Sequence, residues 1–326
     1  MSILYSNAIV SVRSGKMLNA DRIRRMVATN SGAEAAKILF ECGYDENLVN
    51  EFNDNDDEII NLERKKTVES FSELCVDENL RYAVLAKFDY HNATALYTAN
   101  ITESDKKGQT PDSVYPFGNI AVEILKHAIS KKNYGPLPDL MASALSELDG
   151  YAQPSAATIE LVLSRALYSD ILPRIDKTGN QKIKEFFTAE IDILNLRTAA
   201  KLKLFGGNRE DFIIEGGVIS PGTLSTVFTK NLELIKSDLH SNDYGYIAEA
   251  YAKSIINGDL TLFENIANNF LIRKSAENSD DSFALNMLFH WFIAKLDELR
   301  IVKIILMGKK FGKTKEELRE QLRGVI

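Results

Sequence analysis

An all-α fold built from three similar helical units is what this sequence predicts. Three observations carry that expectation: a signature repeated at nearly equal steps, a predominance of helix start and stop signals, and no convincing series of alternating strands. The signature reads A-K-F-D-Y-H-N at 86–92, A-E-I-D-I-L-N at 189–195 and A-K-L-D-E-L-R at 294–300. Asp89, Asp192 and Asp297 therefore fall 103 and 105 residues apart in a chain of 326. Self-similarity at a fixed period describes a whole architecture rather than one site. Each copy lies in a helix-like stretch, which sets Asp89 with Asn92, Asp192 with Asn195 and Asp297 with Arg300 at i and i+3 on one helix face. A second element lies about one helical hairpin upstream: Glu58, Glu160 and Glu264 precede their aspartates by 31, 32 and 33 residues.

The elements follow in order. Ser31 with Glu34 forms a capping box ahead of A-E-A-A-K-I-L-F-E-C, and Gly43 supplies the stop. The acidic run D-N-D-D-E at 54–58 reads as a solvated turn capping a helix that begins near Glu58. As a calcium loop starting at Asp54 it would need Gly and Glu where the chain has Ile59 and Lys65. The polar, Gly- and Pro-bearing stretch 104–118 marks a first boundary. A helix over 159–172 is expected to end at Pro173, and a run free of Pro and Gly predicts a long helix over 185–205. The second boundary, 206–222, contains G-V-I at 217–219, much as the first leads into G-N-I at 118–120. The stretch 283–307 is apolar around most of its circumference until charges begin at Lys295, the pattern of a helix largely buried in protein. Thr314 with Glu317 makes a last capping box. The units are placed at 1–107, 108–212 and 213–326.

A mass of 36.5 kDa exceeds a single core and suits two or three domains. A net charge of −7 gives no general attraction to nucleic acid or anionic lipid. Two cysteines, Cys42 and Cys75, argue against a disulfide framework and fit a reducing cytoplasm. The first residues lack the basic-then-apolar order of a signal peptide, and no stretch of 18 apolar residues is free of charge, so no membrane span is expected.

No catalytic, cofactor-binding or metal-ligating residue is assigned. G-K-K-F-G-K-T at 308–314 imitates a phosphate-binding loop but has three residues between its glycines where four are needed. It reads as a helix C-terminus at Gly308 or Gly312, with lysines complementing the dipole. His91, His127, His240 and His290 show no metal spacing, and His290 reads as a packed core histidine. The repeated Asp89, Asn92, Asp192, Asn195, Asp297 and Arg300 read as structural, each capping or bridging to a neighbouring helix. The alternative is a lining role, with three equivalent acids facing a central axis.

Several stretches in order resemble one family. They are Y-S-N-A-I-V-S-V-R-S-G-K-M-L at 5–18, E-A-A-K-I-L-F-E-C-G-Y at 34–44, E-I-D-I-L-N-L-R-T-A-A-K-L-K-L at 190–204, F-I-I-E-G-G-V-I-S at 212–220 and F-I-A-K-L-D-E-L-R-I-V-K-I-I-L-M-G-K-K-F-G-K-T-K-E-E-L-R-E-Q-L at 292–322. Together they resemble the C subunits of the V-type (A-type) rotary ATPases, which are similar to the d subunits of eukaryotic V-ATPases. The chain departs from that pattern in its acidic 45–70 region and at Trp291 and Leu296. The resemblance implies three helical-bundle domains in a pseudo-threefold, funnel-like socket. It implies a rotor component without an active site or cofactor that grips the central shaft subunits and rests on the membrane rotor ring at the cytoplasmic face, coupling ATP hydrolysis or synthesis to H⁺ or Na⁺ transport. It implies no nucleotide or nucleic-acid binding. A generic helical-repeat scaffold is the other reading, against which the long period counts. An all-α enzyme working through the 54–58 run lacks the required spacing.

Overall fold

In a computed structural model, residues 2–50, 52, 56–102, 110–206, 213–229 and 244–323 are described, and their regular structure is entirely helical, with no strand among them. The all-α expectation is met. The helices are α1 (Ile3–Ser14), α2 (Ala20–Ala28), α3 (Gly32–Leu39), α4 (Glu46–Asn50), α5 (Asp56–Leu74), α6 (Glu78–Thr102), α7 (Val122–Lys131) and α8 (Asp139–Asp149). They continue with α9 (Ala156–Lys177), α10 (Gln181–Phe205), α11 (Pro221–Thr229), α12 (Gly245–Asn257), α13 (Thr261–Ala276), α14 (Asn286–Lys310) and α15 (Lys315–Gln321). The three helices that carry the signature, α6, α10 and α14, have the same length, 25 residues. Each therefore spans about 37 Å at the α-helical rise. The expected unit boundaries near 107 and 212, and Asp54 and Asn55 of the acidic run, lie outside the described residues.

The chain divides into two compact units. One comprises Met1–Val76, Asp192–Glu210 and Ile219–Ile326. Within it α14 packs against α5, α13, α1 and α3. Leu299, Val302, Ile305 and Leu306 of α14 share a core with Met26, Val27, Leu39, Ile59, Ile60 and Leu318. The Phe71 and Phe292 rings lie 4.5 Å apart between α5 and α14. Each such side chain removed from water contributes about 1.5–3 kcal/mol, which is why α14 needs apolar residues on most of its faces. The other unit comprises Asp77–Ile191 and Asp211–Val218. There α6 packs against α9 and α7, and α9 against α8. Tyr82 of α6 donates to Asp170 of α9 at 2.8 Å while the Arg174 guanidinium covers the Tyr82 ring.

Most local signals act as expected. Gly43 takes the left-handed conformation (φ 79°) that closes the turn after Cys42, and Thr314 with Glu317 forms the full reciprocal box. At Ser31 only half the box forms: its hydroxyl accepts from Glu34 N–H, but the Glu34 carboxylate accepts from Asn30 N–H at 2.9 Å. Pro173 corrects one expectation, because α9 runs through it to Lys177. Ile171 and Ile175, on either side, are fully buried. Their burial offsets the roughly 3 kcal/mol that an interior proline costs.

The phosphate-loop mimic resolves into packing. Gly308 lies inside α14, where a Cβ would collide with the buried Leu318 side chain, and Gly312 (φ 71°) ends the helix. Lys309 does complement a helix dipole, but that of α2: its ammonium donates to the carbonyls of Val27 and Thr29. No described helix is long and apolar enough to cross a membrane.

Candidate functional site

The repeated carboxylates stand where the chain turns into a new set of helices. Asp89 on α6 is 2 % exposed, so its oxygens need donors from the protein. Its Oδ1 accepts from Ile120 N–H at 3.0 Å, and its Oδ2 from both the backbone N–H and the side-chain amide of Asn119, at 3.0 and 2.9 Å. One turn along, Asn92 accepts from Tyr115 N–H and donates to Tyr115 C=O. The i, i+3 pair thus grips the stretch of chain from 115 to 120. The approach is so close that a Cβ on Gly118 would overlap Asp89 Oδ1.

Asp192 on α10 repeats the arrangement with full burial. It accepts from Ile219 N–H at 3.0 Å and from the Tyr244 hydroxyl at 2.7 Å. Asn195, one turn on, is 1 % exposed. The residues preceding both aspartates also meet: Lys87 of α6 pairs with Glu190 of α10, which accepts from the Tyr168 hydroxyl as well.

In the third copy the neighbouring residue takes this part. Asp297 pairs with Arg300 at 2.7 Å and keeps partial contact with solvent. Glu298, 3 % exposed, accepts from Leu18 N–H at 2.6 Å and from the Tyr44 hydroxyl at 2.7 Å. The correspondence is close: Ile120, Ile219 and Leu18 each lie two residues ahead of a helix, namely α7, α11 and α2. Tyr244 and Tyr44 follow their N–H donors by 25 and 26 residues. The third joint ties the last long helix to the beginning of the chain.

This joint also carries a cation. Lys295, 5 % exposed, donates to Glu298 and to Glu63 and lies over the Tyr44 ring. Burial pulls its basicity down, but Glu298 and Glu63 outweigh burial and hold the ammonium above its ordinary value. Lys295 therefore does not mark where α14 emerges into solvent; it lies inside, because two carboxylates replace its water. Asp89 pairs with no cation among the described residues, and burial, outweighing the amide donors, pushes its carboxyl up to about 6.

The remaining sequence candidates are structural neighbours. Glu264 forms a bidentate pair with Arg197, whereas Glu58 and Glu160 are exposed. His290 is hydrogen-bonded to Ser275 at 2.9 Å, and Cys42 and Cys75 are both buried. No group of residues suited to hold a metal occurs among the described residues. Sequence reading missed Glu298, Lys295, Tyr44 and Tyr244. A Lys and a Glu at i and i+3 inside an otherwise apolar helix was the available signal for a buried ion pair.

Three outcomes follow for urea unfolding. Glu298→Ala removes the acceptor of three donors and is expected to cost about 3–5 kcal/mol, whereas Asp297→Ala, which breaks a partly solvated pair, should cost no more than about 1 kcal/mol. Gly118→Ala drives a methyl into the Asp89 carboxylate and should lower stability by about 1–3 kcal/mol. The folded value of Asp89 lies above its unfolded value, so protonation favours the fold. Its stabilising contribution is therefore complete below about pH 4 and lost as pH rises through 6, on the order of 3 kcal/mol. Subtracting the pH profile of Asp89→Asn from that of the native chain should isolate this slope.

Residues 6–321 match the ATP synthase (C/AC39) subunit family. The chain is 23% identical to the C subunit of the V-type sodium ATPase of Enterococcus hirae, an alignment covering 98% of this chain and 97% of that protein. It is 22% identical to the C subunit of the A-type ATP synthase of Halobacterium salinarum, over 73% of this chain and 72% of that one. With the family match running almost from end to end of an all-helical chain, the protein belongs to the ATP synthase (C/AC39) subunit family.

Proposed function

We propose that this chain is a non-catalytic rotor component of a V-type or A-type ATPase. It acts as a socket that receives the central shaft and rests on the membrane rotor ring, so that ATP hydrolysis or synthesis is coupled to H⁺ or Na⁺ transport. The observation that carries this reading is the family match over residues 6–321, together with relatives named as C subunits of such complexes. On this reading the chain has no active site, cofactor or nucleotide of its own. It is held peripherally at the cytoplasmic face through its partners in the complex.

The joints support a mechanical role. A body that transmits torque must resist shear between its parts, and carboxylates buried to 0–3 % hold backbone donors where water does not compete. In this proposal the repeats 1–107, 108–212 and 213–326 stand around a pseudo-threefold axis as a funnel, with Asp89, Asp192 and Glu298 each binding the start of the next repeat, the third returning to the first. Asp89, Asn92, Asp192 and Asn195 are then structural: their burial leaves no surface for a shaft to touch.

Reconstitution tests the reading. The purified chain should make a shaft subcomplex sediment with rotor-ring membranes that do not retain it alone, and should restore ATP-driven ion transport to a complex lacking its C subunit. Failure to bridge shaft and ring would sink the socket.

A further inference from the structure

Beside the Glu298 joint lies a cavity of about 360 Å³ that the rotor reading does not use. Its walls come from the end of α1 and the turn after it (Arg13, Lys16), the Gly43 turn, one face of α5 (Lys66, Ser70) and Trp291 of α14. Lys295 and Glu63 close one side. Four cations and one carboxylate line the space in a protein whose net charge is −7.

The charges are unequally engaged. Lys295 is neutralised by Glu63 and by Glu298 behind it. Among the described residues Lys66 has only a loose pair with Asp45, at 3.9 Å. Arg13 and Lys16 have no carboxylate partner among the described residues; Arg13 instead lies over the Trp291 ring, 5.7 Å from its centroid. Lys16 runs its stem past Gly43, whose missing side chain leaves the room. Two neutral residues with donor groups, Ser70 and Trp291, line the same space.

We propose that this cavity binds a multivalent oxyanion of the phosphate class. A carboxylate offers two oxygens and one charge. The site is lined by a guanidinium, two ammonium groups and a serine, a set that suits a group with at least three oxygens and more than one charge. The volume exceeds one phosphate and leaves room for a second phosphate or an attached organic part. The source is either a soluble phosphate compound or the headgroup of a phosphomonoester lipid.

Calorimetric titration of the full chain with inorganic diphosphate at low ionic strength tests the proposal. One saturable site is expected, weakened by about tenfold in Arg13→Ala and in Lys66→Ala and unchanged in Lys253→Ala, an exposed lysine on α12. Circular dichroism confirms that each variant folds; if either does not, Lys16→Ala carries the same expectation. Flotation with phosphatidic acid vesicles separates the sources. Capture that depends on Arg13 and Lys66 identifies a lipid headgroup, and diphosphate binding without capture identifies a soluble ligand. Neither saturable heat nor Arg13-dependent capture, or an equal loss in Lys253→Ala, overturns the proposal.

Discussion

A carboxylate withdrawn from water must be met by donors or by a cation, and that requirement sets where this chain begins each new set of helices. Asp89, Asp192 and Glu298 each accept a backbone N–H two residues ahead of a helix. The donor is a main-chain group, so any residue but proline could in principle stand at that position. What the carboxylate demands is that the backbone come to it. In the first joint the demand is so tight that only a glycine at 118 leaves space. Each long helix is therefore tied to the start of another helix by one kind of interaction, used three times.

The three joints meet the same constraint with different chemistry. Asp89 relies on amide donors alone, and its charge remains costly enough that the carboxyl is easily protonated. Asp192 replaces some of those donors with the Tyr244 hydroxyl. Glu298 adds a buried ammonium, so that Lys295, Glu63, Glu298 and Tyr44 form a network in which each charge has a partner. Buried pairs of this kind contribute little net stability over an apolar core, yet breaking one leaves an uncompensated charge.

The most elaborate joint also borders the basic cavity. Neutralising Lys295 from behind leaves Arg13, Lys16 and Lys66 as the cations facing the space. A chain acidic as a whole thus carries one concave positive site, created by how α1, α5 and α14 converge within one unit rather than by composition.

Helix content, two of the three long helices (α10 and α14), the burial of α14 and the loops after α6 and α10 were legible in the sequence, because periodicity and Gly or Pro placement are local properties. The paired glycine-led turns at 118–120 and 217–219 were legible too, though not what held them. Pro173 runs against its local signal, since the burial of Ile171 and Ile175 comes from other helices and outweighs a local penalty. The third joint was hidden by a shift of one residue. One step along a helix turns a side chain by about 100°, so Asp297 and Glu298 face different surroundings although only the aspartate preserves the repeated pattern. The order of residues was enough to show one helical signature recurring three times at nearly equal steps. Which carboxylate binds, and that it reaches back to Leu18, follows only from the packed fold, because desolvation and donor geometry exist only once distant helices have come together.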